Sequence, residues 1–216
     1  DGTVAPGRAG DVLQCWRQYQ YGTRHHVLFK LLWDTGIRIG AARALDLDDF
    51  HADNRYVEIH HRPDTGTPIK NKDDGERPVS ISPMTRDVLQ DYINVRRPEV
   101  VDRHGRAPLI ASEQGRPHIQ TFRDWVYYVA RPCWYNGGHC PHGRDLDDCE
   151  AARTSQHTSK CPSSFSPHAV RRGSITRYLA EGVEKYPVSE RMNVHPETID
   201  KHYDTRTPEQ KMENRR

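Results

Sequence analysis

Between Tyr56 and Ile81 the chain changes its period, and this most limits the folds open to it. Val57 and Ile59 alternate with polar neighbours, and so do Val79 and Ile81, with a turn-rich stretch from Pro63 to Gly75 between them. Alternation of that kind predicts two half-buried antiparallel strands joined by a long turn. Nearly everything else repeats at helical spacing. Val12, Leu13, Trp16 and Tyr19 form one stripe, and Val27, Leu28, Leu31 and Leu32 a second, broken near Gly22 and ended by Gly36. Met84, Val88, Leu89, Tyr92 and Ile93 form a third stripe, and Ile119, Phe122, Trp125, Val126 and Val129 a fourth. The expected fold class is mainly α with a small three-stranded antiparallel sheet, Leu109-Ile110 supplying the third strand.

Two helix starts are marked by the same device. Ser82-Pro83 and Ser166-Pro167 each place a capping hydroxyl before a proline that needs no amide donor in a first turn. The second opens a helix with Val170, Ile175, Tyr178 and Leu179 on its inner face, and two short helices are expected near 187–193 and 197–203. With 216 residues the chain can bury one ordinary to large core, so a single domain over 1–216 is expected. No stretch has the apolar length of a membrane span, and the start lacks the features of a signal peptide. A cytoplasmic protein without membrane attachment is expected.

Net charge is only +2, which excludes a strongly basic chain, but 25 of the 32 basic residues are arginine. A guanidinium presents a planar fork of donors suited to phosphate. Three short motifs place such groups in order: Thr35-Gly36-Ile37-Arg38, then Ser166-Pro167-His168-Ala169-Val170-Arg171, then Asp200-Lys201-His202-Tyr203. His168 and Arg171 are three residues apart in a predicted helix, so an imidazole and a cation emerge from one face.

This ordered set resembles the catalytic domain of the tyrosine recombinases, the phage integrase family. The resemblance covers nearly the whole chain apart from the cysteine-rich segment and implies DNA cleavage and rejoining through a 3′-phosphotyrosyl link. It makes Tyr203 the nucleophile, Arg38 and Arg171 the phosphate clamps, and His168 the acceptor of the phenolic proton. Lys72, five residues before Arg77, corresponds to the general acid on the hairpin turn, with Lys70 as the alternative. The implied partners are double-stranded DNA and further copies in a homotetramer, with no catalytic cofactor. Family members also carry an amino-terminal core-binding domain, expected to be absent from this chain.

Two positions depart from the family. A glutamate three residues after the first arginine is replaced by Ala41, and the Gly-His signature nine residues before the tyrosine falls on Val194, leaving His195 one step late for that role. These departures keep open a catalytically impaired DNA-binding regulator of the same fold; a type IB topoisomerase shares the chemistry and is a second alternative.

From Cys133 to Cys161 aliphatic residues almost vanish, and four of the five cysteines fall there. Such a segment cannot build a hydrophobic core of its own. Cys133, Cys140, Cys149 and Cys161 are therefore expected to hold a structural zinc ion in an insertion over 133–161, with His139, His142 or His157 able to replace one thiolate. Two disulfides, or reduced thiols in a flexible loop, are the other readings, and a Cys/His-centred metalloenzyme or interaction module is a third class of function.

Overall fold

The computed structural model describes residues 2–204 and Met212. Ten α-helices occur among the described residues: α1 Pro6–Tyr19, α2 Arg24–Thr35, α3 Ile39–Ala44, α4 Pro83–Val95, α5 Ile119–Val129, α6 Pro132–Tyr135, α7 Glu150–Arg153, α8 Pro167–Ala180, α9 Lys185–Met192 and α10 Pro196–His202. A three-stranded antiparallel sheet, β1 Phe50–His51, β2 Tyr56–Ile59 and β3 Arg77–Ser80, lies between α3 and α4 in the chain, in the order β1-β2-β3. Val57 pairs with Val79 and Ile59 with Arg77, so the alternating apolar residues of both long strands share the inner face.

The third strand is Phe50–His51, not Leu109–Ile110. Leu109 and Ile110 are fully buried, but their segment crosses α3's exit instead of the sheet: Leu109 N donates to Leu45 O at 2.9 Å, and Asp46 and Pro108 form an isolated bridge. An apolar pair buried by a loop carries the same sequence signal as one buried by a strand.

The helix starts follow their caps. Ser82 Oγ accepts from Thr85 N and Ser166 Oγ from Ala169 N, both at 3.2 Å, and Thr23 caps α2 in the same way. At its other end α2 stops at Gly36, whose φ of 64° is left-handed and whose missing side chain leaves room for Met192. A β-carbon there would lie 2.6 Å from the Met192 sulfur, which would have to move, and the left-handed φ itself favours glycine. Gly173 does the corresponding work in α8, where a β-carbon would meet Val4 O at 2.3 Å and the Trp33 ring at 2.8 Å. That close approach lets α8 pack on α2, with Ser174 Oγ donating to Trp33 O at 2.8 Å.

Two hydrophobic clusters result. The larger joins α1, α2, the sheet, α4 and α5 around Phe29, Leu31, Leu32, Leu89, Tyr92 and Phe122. The smaller lies at the carboxyl end and contains Ile175, Leu179, Val188, Met192, Val194, Ile199 and Tyr203. Removing the side chain of Met192 from such a cluster would cost about 2–5 kcal/mol. This second cluster gives the last helix a fixed seat against α8 and α9. The described helices include none long and apolar enough to cross a membrane.

Candidate active site

Gly36 organises the site because both arginines are set by its turn. Two residues on, Arg38 is extended at the N-cap of α3, while Arg171, from the second turn of α8, donates through Nη1 to Gly36 O at 2.5 Å. Arg171 is only 4% exposed. Arg38 is half-buried and donates through Nη1 to Asn193 O at 3.0 Å. His168, in the first turn of α8, stands exposed above Arg171. Tyr203 caps the C-terminus of α10, its ring buried in the second cluster and its carbonyl accepting from Thr176 Oγ1 at 3.3 Å.

These four residues line one open cavity of about 700 Å³, together with Asn71, Asp74, Arg77, Asn193 and His195. Its electrostatics are set by guanidiniums that repel one another. Burial pushes the Arg171 guanidinium down to about 9, and Arg38 and Arg77 push it further in the same direction, while the Tyr203 oxygen opposes them. Burial likewise lowers Arg38, again opposed by Tyr203. Arg77 is pushed down to about 10 by burial and by Arg38 and Arg191. Among the described residues none of the three guanidiniums has a carboxylate partner in an ion pair; their recorded donations go to backbone carbonyls. Three interacting cations with spare donors favour an anionic group entering the cavity. Burial, then Arg172, Arg171 and Arg38, lower the His168 pKa, so its imidazole stays neutral and able to accept a proton at pH 7.

The structure thus brings Arg38, His168, Arg171 and Tyr203 together from three separate parts of the chain. His195 also lines the cavity, at the N-cap of α10, but its side chain is 71% exposed and lies 3.9 Å from Glu197. Val194 is buried in the second cluster. Lys72 is not among the lining residues. It is exposed on the turn before β3, flanked by Asn71 and Asp74, which do line the cavity. Lys70 lines an adjoining cleft shared with Arg38, Ala41 and Arg77.

Two residues escaped the sequence reading. Arg77 shares the period-two face of Val79 and Ile81, both buried, so an inward-pointing arginine was legible from alternation alone. Asn193 ends α9 in the left-handed region, with φ 48°, a conformation asparagine tolerates better than most residues.

The cysteine segment differs from its expected form. Cys133, Cys140, Cys149 and Cys161 are all free thiols and half-buried. Cys133 lies within electrostatic reach of Cys140 and Cys161, and burial raises its pKa. The described residues nevertheless include no group of three or more His, Cys, Asp or Glu side chains able to hold a metal ion. The expectation assumed that nothing else could hold the segment, and protein contacts do. Arg131, 3% exposed, donates to Ala151 O and lies 4.8 Å from the Tyr128 ring. Thr158, fully buried, donates to Asp124 O on α5, and Arg8 of α1 reaches Ser163 O and Tyr135.

Comparison with known proteins places the fold in a class. No family model matches the chain. It is 29% identical over 131 residues to a curated Escherichia coli protein named "Probable site-specific recombinase in afa region", a match covering 56% of this chain and 46% of that one. Among solved structures it superimposes on the integrase of the transposon Tn1549 in complex with a circular intermediate DNA, with a TM-score of 0.67 at 18% identity. That match covers 99% of this chain and 64% of the integrase. The XerA recombinase gives 0.66 at 13% identity, covering 99% and 61%, and the XerH site-specific recombinase bound to its DNA gives 0.61 at 16%, covering 99% and 52%. The fold is that of the tyrosine recombinase catalytic domain. The chain spans about half the length of the curated relative it matches and about 50–65% of these structural neighbours.

Proposed function

We propose that this chain is the catalytic domain of a site-specific DNA recombinase, cutting and rejoining duplex DNA through a tyrosyl link. One observation carries the reading: a phenol, a neutral imidazole and guanidiniums without carboxylate partners line one cavity. Tyr203 Oη attacks the scissile phosphorus and its proton passes to His168. As that bond forms, the bond to the 5′ oxygen breaks, and the departing oxygen leaves as a hydroxyl with a proton from the hairpin lysine, Lys72. Arg38 and Arg171 hold the two non-bridging oxygens, where charge builds up in the transition state. Arg77 adds field at the same place. A free 5′ hydroxyl from a second strand then attacks the phosphotyrosine, returning the proton path and conserving the bond energy. His195 is read as an accessory donor at the rim.

This chemistry needs no metal or nucleotide cofactor. The Tn1549 integrase and XerH structures are complexes with DNA, and by analogy the substrate read here is a pair of duplex sites held in a homotetramer. The domain reading assigns 1–216 to the catalytic unit, with 133–161 as an insertion packed on α5 and α1. The test is incubation with a nicked duplex whose cleavage releases a short 5′-hydroxyl strand. A denaturant-resistant protein–DNA adduct through a 3′ phosphate is the expected result. DNA binding without an adduct would favour the non-catalytic regulator instead, and relaxation of supercoiled plasmid without exchange would favour the topoisomerase.

A further inference from the structure

The turn that carries Lys72 is tied to the nucleophile's segment through one side chain. Asn193 Oδ1 accepts from Asn71 Nδ2 at 2.8 Å, and Asn193 Nδ2 donates to Asp74 O at 3.2 Å. The two bonds grip the turn on either side of Lys72. Through its backbone the same residue accepts from Arg38 Nη1 at 3.0 Å. Asn193 also sits two residues before His195 and at the junction between α9 and α10, the helix that ends in Tyr203. A single residue therefore touches the phosphate clamp, the lysine turn and the linker to the nucleophile.

The turn has reason to need holding. Asn71 and Lys72 are consecutive left-handed residues, with φ of 72° and 50°, and Asn193 across from them has φ 48°. Lysine gains nothing locally from that conformation, and such residues persist where the surroundings determine them. The approach is close as well: a β-carbon on Gly75 would lie 3.3 Å from Asn193 Nδ2 and 2.6 Å from Lys70 O. Arg77 Nε adds a second strap by donating to Arg191 O at 2.9 Å.

Resting on the recombinase reading, we infer that Asn193 is a positioning residue that sets the Lys72 turn against the site, so that the general acid and the nucleophile are held in one frame. It touches no reacting atom. Its side chain acts on protonation of the leaving oxygen, and its carbonyl acts separately on Arg38.

The two actions can be separated, because Asn193→Gly removes the side chain, keeps the carbonyl and suits the left-handed backbone. Single-turnover cleavage is measured on two nicked duplexes, one with the natural 5′ bridging oxygen and one with sulfur, which leaves without needing a proton. Lys72→Ala is the reference variant. On the oxygen substrate Asn193→Gly should cleave roughly tenfold more slowly, the scale expected for losing two hydrogen bonds, and on the sulfur substrate it should come within about threefold of wild type. Asn71→Ala should show the same rescue, and the double variant should be no slower than the poorer single one. The inference is overturned if Asn193→Gly matches wild type on oxygen, if its deficit persists on sulfur, or if Lys72→Ala itself is unimpaired. Failure of the wild-type protein to form an adduct on either duplex would instead overturn the recombinase reading beneath it.

Discussion

Replacing Arg171 by lysine keeps a positive charge and should still cripple cleavage, because the site uses the shape of the group. In the structure one nitrogen, Nη1, is committed to Gly36 O at 2.5 Å, and the rest of the guanidinium faces a cavity also lined by Tyr203, His168 and Arg38. One side chain thus serves two directions at once. A lysine ammonium is a compact point charge on a flexible stem; it can keep the Gly36 carbonyl or reach a phosphate oxygen, but its geometry does not match both. Loss of one transition-state donor costs about 2.7–4 kcal/mol, or roughly 10²–10³ in rate. The assay is single-turnover adduct formation with saturating nicked duplex, alongside DNA affinity by fluorescence anisotropy. Affinity should change by less than about threefold, since charge is retained, while the rate falls by roughly two orders of magnitude or more. A variant cleaving within threefold of wild type would refute the clamp role.

Three further outcomes follow from other parts of the chain. Burial and the guanidiniums of Arg172, Arg171 and Arg38 depress the His168 pKa, so the acid limb of the cleavage rate should lie below pH 6.5, and a limb at or above about pH 7 would contradict its role as base. His26, 2% exposed, accepts from Gly22 N through Nδ1 at 3.2 Å, and its pKa is pushed down to about 4 by burial, then by Lys30 and Arg17. Between that value and 6.5 the unfolded chain binds the extra proton. His26 should therefore cost stability as pH drops through this window, by up to about 3 kcal/mol. Because burial and Arg24 also push His25 down to about 4, His26→Gln should remove only part of that slope in a urea-denaturation series. Arg131→Ala should open the segment 133–161 to protease while a strong chelator leaves wild type protected; release by the chelator alone would restore the zinc reading.

The parts of the fold visible in the sequence are those whose signal is local. Caps at Ser82 and Ser166, the stripes of α2, α4 and α5, and the alternation of β2 and β3 each follow from spacing within a dozen residues. The strand Phe50–His51 is too short to show a period, and its pairing with Tyr56 and Val57 is decided by the turn between them. The arginine bias was read as a phosphate preference, yet many of these side chains are internal. Arg62 binds Asp49 through both oxygens at 2.8 and 2.6 Å, Arg106 binds Asp46 at 2.8 Å, and Arg116 joins Asp102 and Asp46. Several of these partners are distant in sequence, so no local pattern announces them. The same limit hid the cysteine segment's anchors, since Arg8 and Ser163 meet only in the folded chain.

For the site, residue order singled out Arg38, His168, Arg171 and Tyr203, each in a motif, and the structure gathers all four around one cavity. It was insufficient for the lysine. Two lysines share one turn, and that turn is held by Asn193 from the far end of the chain, which no local pattern announces.

The central claim is that Tyr203 is the attacking group, and the most direct measurement is peptide mapping of the covalent adduct in wild-type protein and in Tyr203→Phe. The substitution removes one oxygen and leaves the ring in its seat among Ile175, Met192 and Ile199. Wild type should yield a phosphotyrosyl nucleotide on the peptide containing Tyr203, and Tyr203→Phe should bind DNA normally and yield none. An adduct of undiminished amount in Tyr203→Phe, or one mapped to another residue, would contradict the account.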